Sequence, residues 1–325
     1  MDRRPPRLAV LPDDDLPGRG RPPRRGPGWG LPVAVLVGLA AGAAALFFVV
    51  QAIRDSGDDD PVAQAPVVQS TSTDDTPLRI LFQEGLTREQ MAERVTEVDQ
   101  IANERRGVDP VLTAADYLVS SKDTTRIPKG FSTKGGRPRD LEGFLFPATY
   151  EFTPATTSDE LVDQQVDAFA DNWAKVDLKD ARKLKLSAYE VLIIASMVEE
   201  EVRVPKERAL VAAVIVNRLK LGMPLGIDAT LRYGLDIPNT EAITASQLES
   251  DNPYNTRKLK GLPPTPIANP GLASMQAAAH PAKVDHLYFV RKKDCRTHFF
   301  TNSQEEFLAF LDGPNSFRRG PKSCA

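Results

Sequence analysis

Cysteine and histidine are scarce in this chain. Only two cysteines occur in 325 residues, Cys295 and Cys324, and neither belongs to a C-x-x-C pair. That excludes a cysteine-rich zinc module and leaves a single disulfide as the most that can form. The three histidines, His280, His286 and His298, show no ligand spacing, so no metal is expected, and no cofactor. A basic excess is missing too. The 41 Lys and Arg face 44 Asp and Glu for a net charge of −3, which gives no reason to expect a nucleic-acid partner.

What is present divides into unlike stretches. Residues 1–29 are rich in arginine and proline, with seven arginines in the first 27 positions. Such a segment buries too little apolar surface to offset the entropy of ordering, and it reads as a disordered tail. Residues 30–53 are almost entirely Leu, Val, Ala, Gly and Phe, with Gln51 the one strongly polar side chain. At about 1.5 Å per residue that run crosses a bilayer core of roughly 30 Å. A cleaved signal peptide would have a shorter apolar run, and the long tail in front disfavours it. Arginines before the span and Asp55, Asp58, Asp59 and Asp60 after it predict a single-pass cell-membrane protein with a cytoplasmic N-terminus and everything later outside. Residues 54–76 form a polar linker containing Pro, Ser and Thr. In that compartment a Cys295–Cys324 disulfide is expected to pin the C-terminal tail, the alternative being two unpaired thiols.

Folded sequence of α+β class begins near Leu78. L-R-I-L-F reads as a strand, Gln83-Glu84-Gly85 as a turn, and Thr87 with Gln90 as a capping box opening a helix. A second helix is expected from Thr113 to Ser121. Strand, glycine turn and two helices in this order resemble a LysM-type glycan-binding module over 77–140, although a generic small α+β domain has the same pattern. Leu141–Phe152 carries Phe144, Phe146, Tyr150 and Phe152 at alternating spacing, which predicts a β-segment. Aromatics so spaced are ordinarily core, and Glu142 and Tyr150 are the positions there that could contact a sugar. Thr157–Leu184 reads as an amphipathic helical region.

Ser187–Val202, S-A-Y-E-V-L-I-I-A-S-M-V-E-E-E-V, is the centre of the chain. Ser187 and Glu190 mark the helix start, and from Val191 to Val198 only Ser196 is polar, so the helix is expected to be buried nearly all round. It ends in Glu199, Glu200 and Glu201. A glutamate run at a helix end is ordinarily solvated surface. A carboxyl at the edge of an apolar core instead loses hydration, stays protonated to higher pH and can donate a proton. Periodicity puts Glu201 on the face of Val191, Ile194 and Val198 but does not choose among the three. Pro205 starts the next helix, whose Asn217 needs a partner if buried.

Several motifs follow in one order: I-D-A-T-L-R-Y-G-L at Ile227–Leu235, N-P-Y-N-T-R at Asn252–Arg257, G-L-P-P-T-P-I-A-N-P-G at Gly261–Gly271, A-A-A-H-P-A-K at Ala277–Lys283, H-L-Y-F-V at His286–Val290 and H-F-F at His298–Phe300. With L-E-G-F-L-F-P-A-T-Y and S-M-V-E-E-E-V upstream, this series closely resembles the endolytic murein transglycosylase family, the YceG-like group, from about Leu78 to Phe307. The resemblance implies a membrane-anchored lytic transglycosylase with a LysM-like subdomain and a mixed α+β catalytic domain over 141–325. Its substrate would be peptidoglycan glycan strands, cut between N-acetylmuramic acid and N-acetylglucosamine to leave 1,6-anhydromuramic ends, with a role in terminating strand elongation. Peptidoglycan synthases are implied as neighbours.

The family's catalytic glutamate is the second of S-x-V-E-x-E, which carries that role onto Glu201, with Glu199 as the alternative. Asn217, Asp228, Tyr233, Tyr254, Asn255 and Thr256 are candidate substrate-positioning groups, although Asn255 could equally cap its own loop. The chain departs from the family pattern at Ala148, where an acidic residue is expected, at Arg257, which ends Y-N-T-R in place of Y-N-T-Y, and over Thr301–Phe307. Two rival functions have different signatures. A hydrolytic muramidase would need a second acid or a positioned water, for which Asp228 is the candidate, and a non-catalytic wall-binding protein would need no glutamate at all.

Overall fold

The computed structural model describes residues 77–131 and 138–319, all within one unit, Thr73–Ala325. The tail, span and linker expected over 1–76 lie outside these residues, as does Cys324 and with it the expected bond to Cys295. Among the described residues no helix is long and apolar enough to cross a membrane.

The first strand, β1 (Leu78–Leu81), points Leu78 and Ile80 inward. Helix α1 (Arg88–Arg106) begins at the reciprocal Thr87–Gln90 capping box, which satisfies two of the orphan amides of a helix start, and stops at Gly107 with φ 61°. Helix α2 (Ala114–Ser120), capped by Thr113, packs against α1. The strand β2 (Thr149–Phe152) then returns antiparallel to β1, with Ile80 opposite Tyr150. The result is a β-α-α-β unit whose closing strand lies beyond residue 140, where the sequence reading put the edge of this subdomain.

The β-segment expected over 141–152 is realised only in its last four residues. Leu141–Phe144 is a turn, closed by the Phe144 amide on the Leu141 carbonyl at 2.9 Å. Gly143 sits there at φ 88°, and a Cβ on it would fall 2.6 Å from Cγ of Pro266, so the turn needs glycine for both conformation and approach. Phe144 is core nonetheless, edge-on to Phe169 at 5.1 Å. The helical region after Thr157 is likewise split, into α3 (Ser158–Trp173) and the short α4 (Lys179–Lys183).

The central helix is α5 (Ala188–Glu201). Its box is formed as expected, the Glu190 amide on Ser187 Oγ at 3.2 Å and the Ser187 amide on Glu190 Oε2 at 2.8 Å. Every residue from Val191 to Val198 is buried. Ser196, the polar exception, donates to the Ile193 carbonyl and accepts the Ile267 amide at 3.0 Å, which clips the proline-rich loop onto the helix. After a 3₁₀ turn at Pro205–Glu207 come α6 (Arg208–Lys220), α7 (Asp228–Leu235), α8 (Ala245–Leu248) and α9 (Leu272–Ala279). Helix α9 packs across both α5 and α6, and α7 packs against α5. A second antiparallel pair, β3 (Tyr288–Arg291) and β4 (His298–Thr301), places Arg291 opposite His298, and α10 (Gln304–Asp312) covers it. The architecture is α+β around one continuous apolar core.

Candidate active site

Local structure separates the three glutamates at the end of α5. Glu199 is held on both oxygens. Oε1 lies 3.4 Å from Nη2 of Arg208, and Oε2 accepts the amide of Gly271 at 3.0 Å, just ahead of α9. Its side chain is only 6% exposed. Arg208 also donates to Ser274 Oγ and approaches Glu84 Oε2 at 3.9 Å. Partial burial and the negative charge of Glu199 raise the proton affinity of Glu84, against the opposing effect of Arg208. Glu199 therefore belongs to a structural knot joining the β1–α1 turn, α5, α6 and α9.

Glu200 turns toward the same turn. A Cβ at Gly85, whose φ is 85°, would stand 2.9 Å from Glu200 Oε1, so the glycine lets the turn lie on this carboxyl. Burial, with Glu201 and Glu199 adding to it, pushes Glu200 up to about 7.

Glu201 is different. It is partly buried, and its carboxyl takes no hydrogen bond and no ion pair from the described residues. Burial is the main cause that pushes it up to about 7. The negative charge of Asp228 adds to that, and the guanidinium groups of Arg291, Arg257 and Arg203 oppose it. A carboxyl in this setting is close to half-protonated at neutral pH and has no partner to lose when it gives up or takes a proton. Of the three, it alone combines a near-neutral pKa with a position facing Asp228 and Arg257.

The other residues named from sequence fall into two groups. Asp228 opens α7 and accepts Nε of Arg257 at 2.5 Å, so these two form an ion pair beside Glu201. Tyr233 and Tyr254 stand ring to ring at 5.2 Å. Tyr233 donates to Glu142 Oε2 at 3.2 Å, and Tyr254 bonds Thr265 Oγ1 at 2.7 Å.

The second group is interior. Glu142 is 2% exposed and takes the amide of Arg88, Nδ2 of Asn269 and the Tyr233 hydroxyl. Burial pushes it up to about 8 despite those donors. Tyr150 donates to the Phe146 carbonyl at 2.6 Å. Asn255 donates to the Leu248 and Ser250 carbonyls at 2.9 Å. Thr256 accepts the Ile227 amide and bonds Thr230. Asn217 donates to the carbonyls of Val284 and His286. It lines a cleft of about 640 Å³ with Lys183, Pro281 and Asp285, and none of the three glutamates borders that cleft. Buried His298, whose proton affinity burial lowers, bonds Glu207 at 2.8 Å.

Sequence reasoning missed Asn269. Fully buried, it accepts the amides of Gly143 and Leu145 on Oδ1, and it donates from Nδ2 to Leu86 O and Glu142 Oε1. One side chain thus ties three distant segments together behind the glutamate run. Its only local signal is an asparagine in A-N-P-G, an ordinary loop string. Arg208 and Glu84 were missed for the same reason, because their pairing with Glu199 is tertiary.

Comparison with known proteins gives the chain its relatives. The YceG-like family matches residues 62–312. The endolytic murein transglycosylase of Bacillus subtilis (strain 168) is 39% identical over 165 residues, covering 51% of this chain and 46% of that protein. The endolytic murein transglycosylase of Streptococcus pneumoniae serotype 2 (strain D39) is 30% identical over 271 residues, covering 78% of this chain and 46% of that protein. The chain thus spans about half the length of these relatives. A crystal structure of a yceG-like protein from Listeria monocytogenes superposes with a TM-score of 0.60 at 32% identity, over 72% of this chain and 75% of that one.

Proposed function

This chain belongs to the YceG-like family, and from that premise we propose that it is an endolytic lytic transglycosylase of peptidoglycan with Glu201 as its catalytic acid and base. The observation that carries the reading is a carboxyl pushed up to about 7 with no partner among the described residues, at the end of a buried helix.

Protonated Glu201 donates to the glycosidic oxygen between N-acetylmuramic acid and N-acetylglucosamine. The bond breaks as an oxocarbenium-like centre develops at C1. The resulting carboxylate then takes the proton of the muramic 6-hydroxyl as that oxygen closes on C1. Glu201 ends as it began, no water is consumed, and the product carries a 1,6-anhydro ring. One titratable group suffices because the nucleophile belongs to the substrate. Asp228 and the Tyr233–Tyr254 pair are assigned to positioning the glycan. Glu142, Asn255 and Thr256 are assigned to holding the segments that carry them, and Tyr150 and Asn217 to the fold elsewhere, since their polar atoms bond Phe146 and Val284.

The same reading places residues 30–53 in the cell membrane with the enzyme outside, and gives the β-α-α-β unit a LysM-like glycan-binding role. It also sets the enzyme beside peptidoglycan synthases, where cutting ends strand elongation. The deciding experiment is mass spectrometry of products from purified glycan strands. Anhydro ends made by the wild type and lost in Glu201→Gln support the reading. Reducing ends would make the enzyme a hydrolase, and anhydro product lost in Glu199→Gln but kept in Glu201→Gln would move the acid.

A further inference from the structure

We propose that Arg257 binds a carboxylate on the 3-O-substituent of the muramic acid at the scissile bond; this rests on the peptidoglycan reading above. Arg257 donates Nε to Asp228 at 2.5 Å, and its side chain is 41% exposed. Its Nη1 and Nη2 atoms make no hydrogen bond to any described residue. An arginine tied through Nε presents its remaining edge as a planar fork, and that fork matches both oxygens of a carboxylate.

The backbone beneath the fork is fixed before any ligand arrives. Asn255 Oδ1 accepts the Arg257 amide at 3.2 Å, while its Nδ2 bonds two carbonyls of the preceding loop. Thr256 is 2% exposed and is locked to Ile227 and Thr230 at the start of α7. Helix α7 packs against α5, so the Asp228–Arg257 pair stands over the end of α5, where both charges act on Glu201. Little side-chain entropy remains to be lost on binding. The exposed Arg203 adds positive charge to the same rim, so an anionic substituent is drawn toward the acid.

The proposed substrate carries that chemistry in two places. A strand stripped of peptides exposes the lactyl carboxylate, and a peptide-bearing strand exposes stem-peptide carboxylates instead. Both hang from the 3-oxygen of muramic acid, the lactyl carboxylate next to the sugar ring and the stem carboxylates further out along the peptide.

The test measures binding by calorimetry with the full chain carrying Glu201→Gln, so that strands stay intact. It compares Arg257 with Arg257→Gln and Arg257→Lys on three ligands: peptide-free strands, peptide-bearing strands, and peptide-free strands whose lactyl carboxyls are converted to amides. Arginine is expected to prefer a carboxylate strand over the amidated one by about tenfold, the effect of one charge-assisted hydrogen-bonded pair. Preference confined to peptide-free strands assigns the lactyl group, and preference confined to peptide-bearing strands assigns the stem. Arg257→Gln should abolish the discrimination. Arg257→Lys keeps the charge without the fork, should lose most of the discrimination, and serves if the glutamine variant does not fold. With Glu201 restored and the assay held well below about pH 7, where Glu201 is protonated with or without the Arg257 charge, Arg257→Gln should raise KM for the carboxylate strand and leave kcat nearly unchanged. Equal binding of all three ligands by the arginine form, or an equal loss on all three in the variants, overturns the proposal. Absence of anhydro product from the wild type would instead refute the transglycosylase reading and leave the binding result standing.

Discussion

Arg208 Nη2 lies 3.4 Å from Glu199 Oε1, while the other oxygen of Glu199 holds the amide of Gly271 at 3.0 Å. Two residues further along the same helix, Glu201 has neither kind of partner. The two carboxyls should therefore fail differently when neutralised. Glu201→Gln is expected to lower the rate by about 10³-fold, the usual weight of a general acid, with a melting temperature that does not fall. Glu199→Gln should cost about 2 kcal/mol of stability, because it leaves the nearly buried Arg208 without its closest anion. Its activity per folded molecule should fall far less. Thermal melts and turnover measured on the same preparations separate the two cases.

The pH profile follows from the direction of the Glu201 shift. Its pKa is raised to about 7, and in the proposed mechanism the working form of the free enzyme is the protonated one. kcat/KM should be level below about 7 and fall as pH rises through it. Asp228→Asn removes a negative charge that favours the proton, and it frees Arg257, whose positive charge disfavours it. Both changes lower the pKa, so the alkaline fall should move to lower pH. An alkaline limb that stays in place in Asp228→Asn would show that Glu201 is not the group being titrated.

The helices were legible because their signals are local. Ser187 with Glu190 and Thr87 with Gln90 form the reciprocal boxes that their spacing announces. The aromatic alternation over 141–152 misled because burial of Phe144 and of Phe152 has different origins: one lies in a turn held by Asn269, the other in a paired strand. The glutamate run shows the limit most clearly. Helical periodicity put Glu201 on a core face, but it gave no sign that Glu199 is the one held by partners, Arg208 and Gly271, residues whose approach no spacing rule encodes. The motif match named Glu201, and the tertiary partners of Glu199 are the physical reason to propose Glu201 over it.

Glu142 gives a stability prediction with a definite sign. Burial raises its pKa from the ordinary 4.5 to about 8, so folding favours the protonated form. Its contribution is fully present below about 4.5 and is lost as pH rises toward 8. In Glu142→Gln that dependence disappears. The variant should gain stability relative to the wild type between these two pH values, by roughly a few kcal/mol at most. Chemical denaturation of both proteins at pH 4.5, 6 and 8 reads the difference directly, and parallel curves would exclude a raised Glu142.

Asn269 is the position where a small change should do the most damage without touching Glu201. Removing its side chain in Asn269→Ala leaves the amides of Gly143 and Leu145 and an oxygen of Glu142 without that partner in a site with no exposure. A loss of about 3 kcal/mol is expected, since buried groups stripped of a partner bear the desolvation cost in full. Asn269→Asp is the sharper test. An aspartate can still accept both amides, but it sets a carboxylate where Nδ2 now donates to Glu142 Oε1 at 2.7 Å. Two carboxyls so close share a proton readily and resist losing it. The aspartate variant should therefore be destabilised strongly at pH 8 and much less at pH 5, whereas the alanine variant should show no comparable recovery on acidification. Urea midpoints at the two pH values distinguish them, and equal losses for Asn269→Asp at both would mean that the Asn269–Glu142 hydrogen bond does not hold the two segments together.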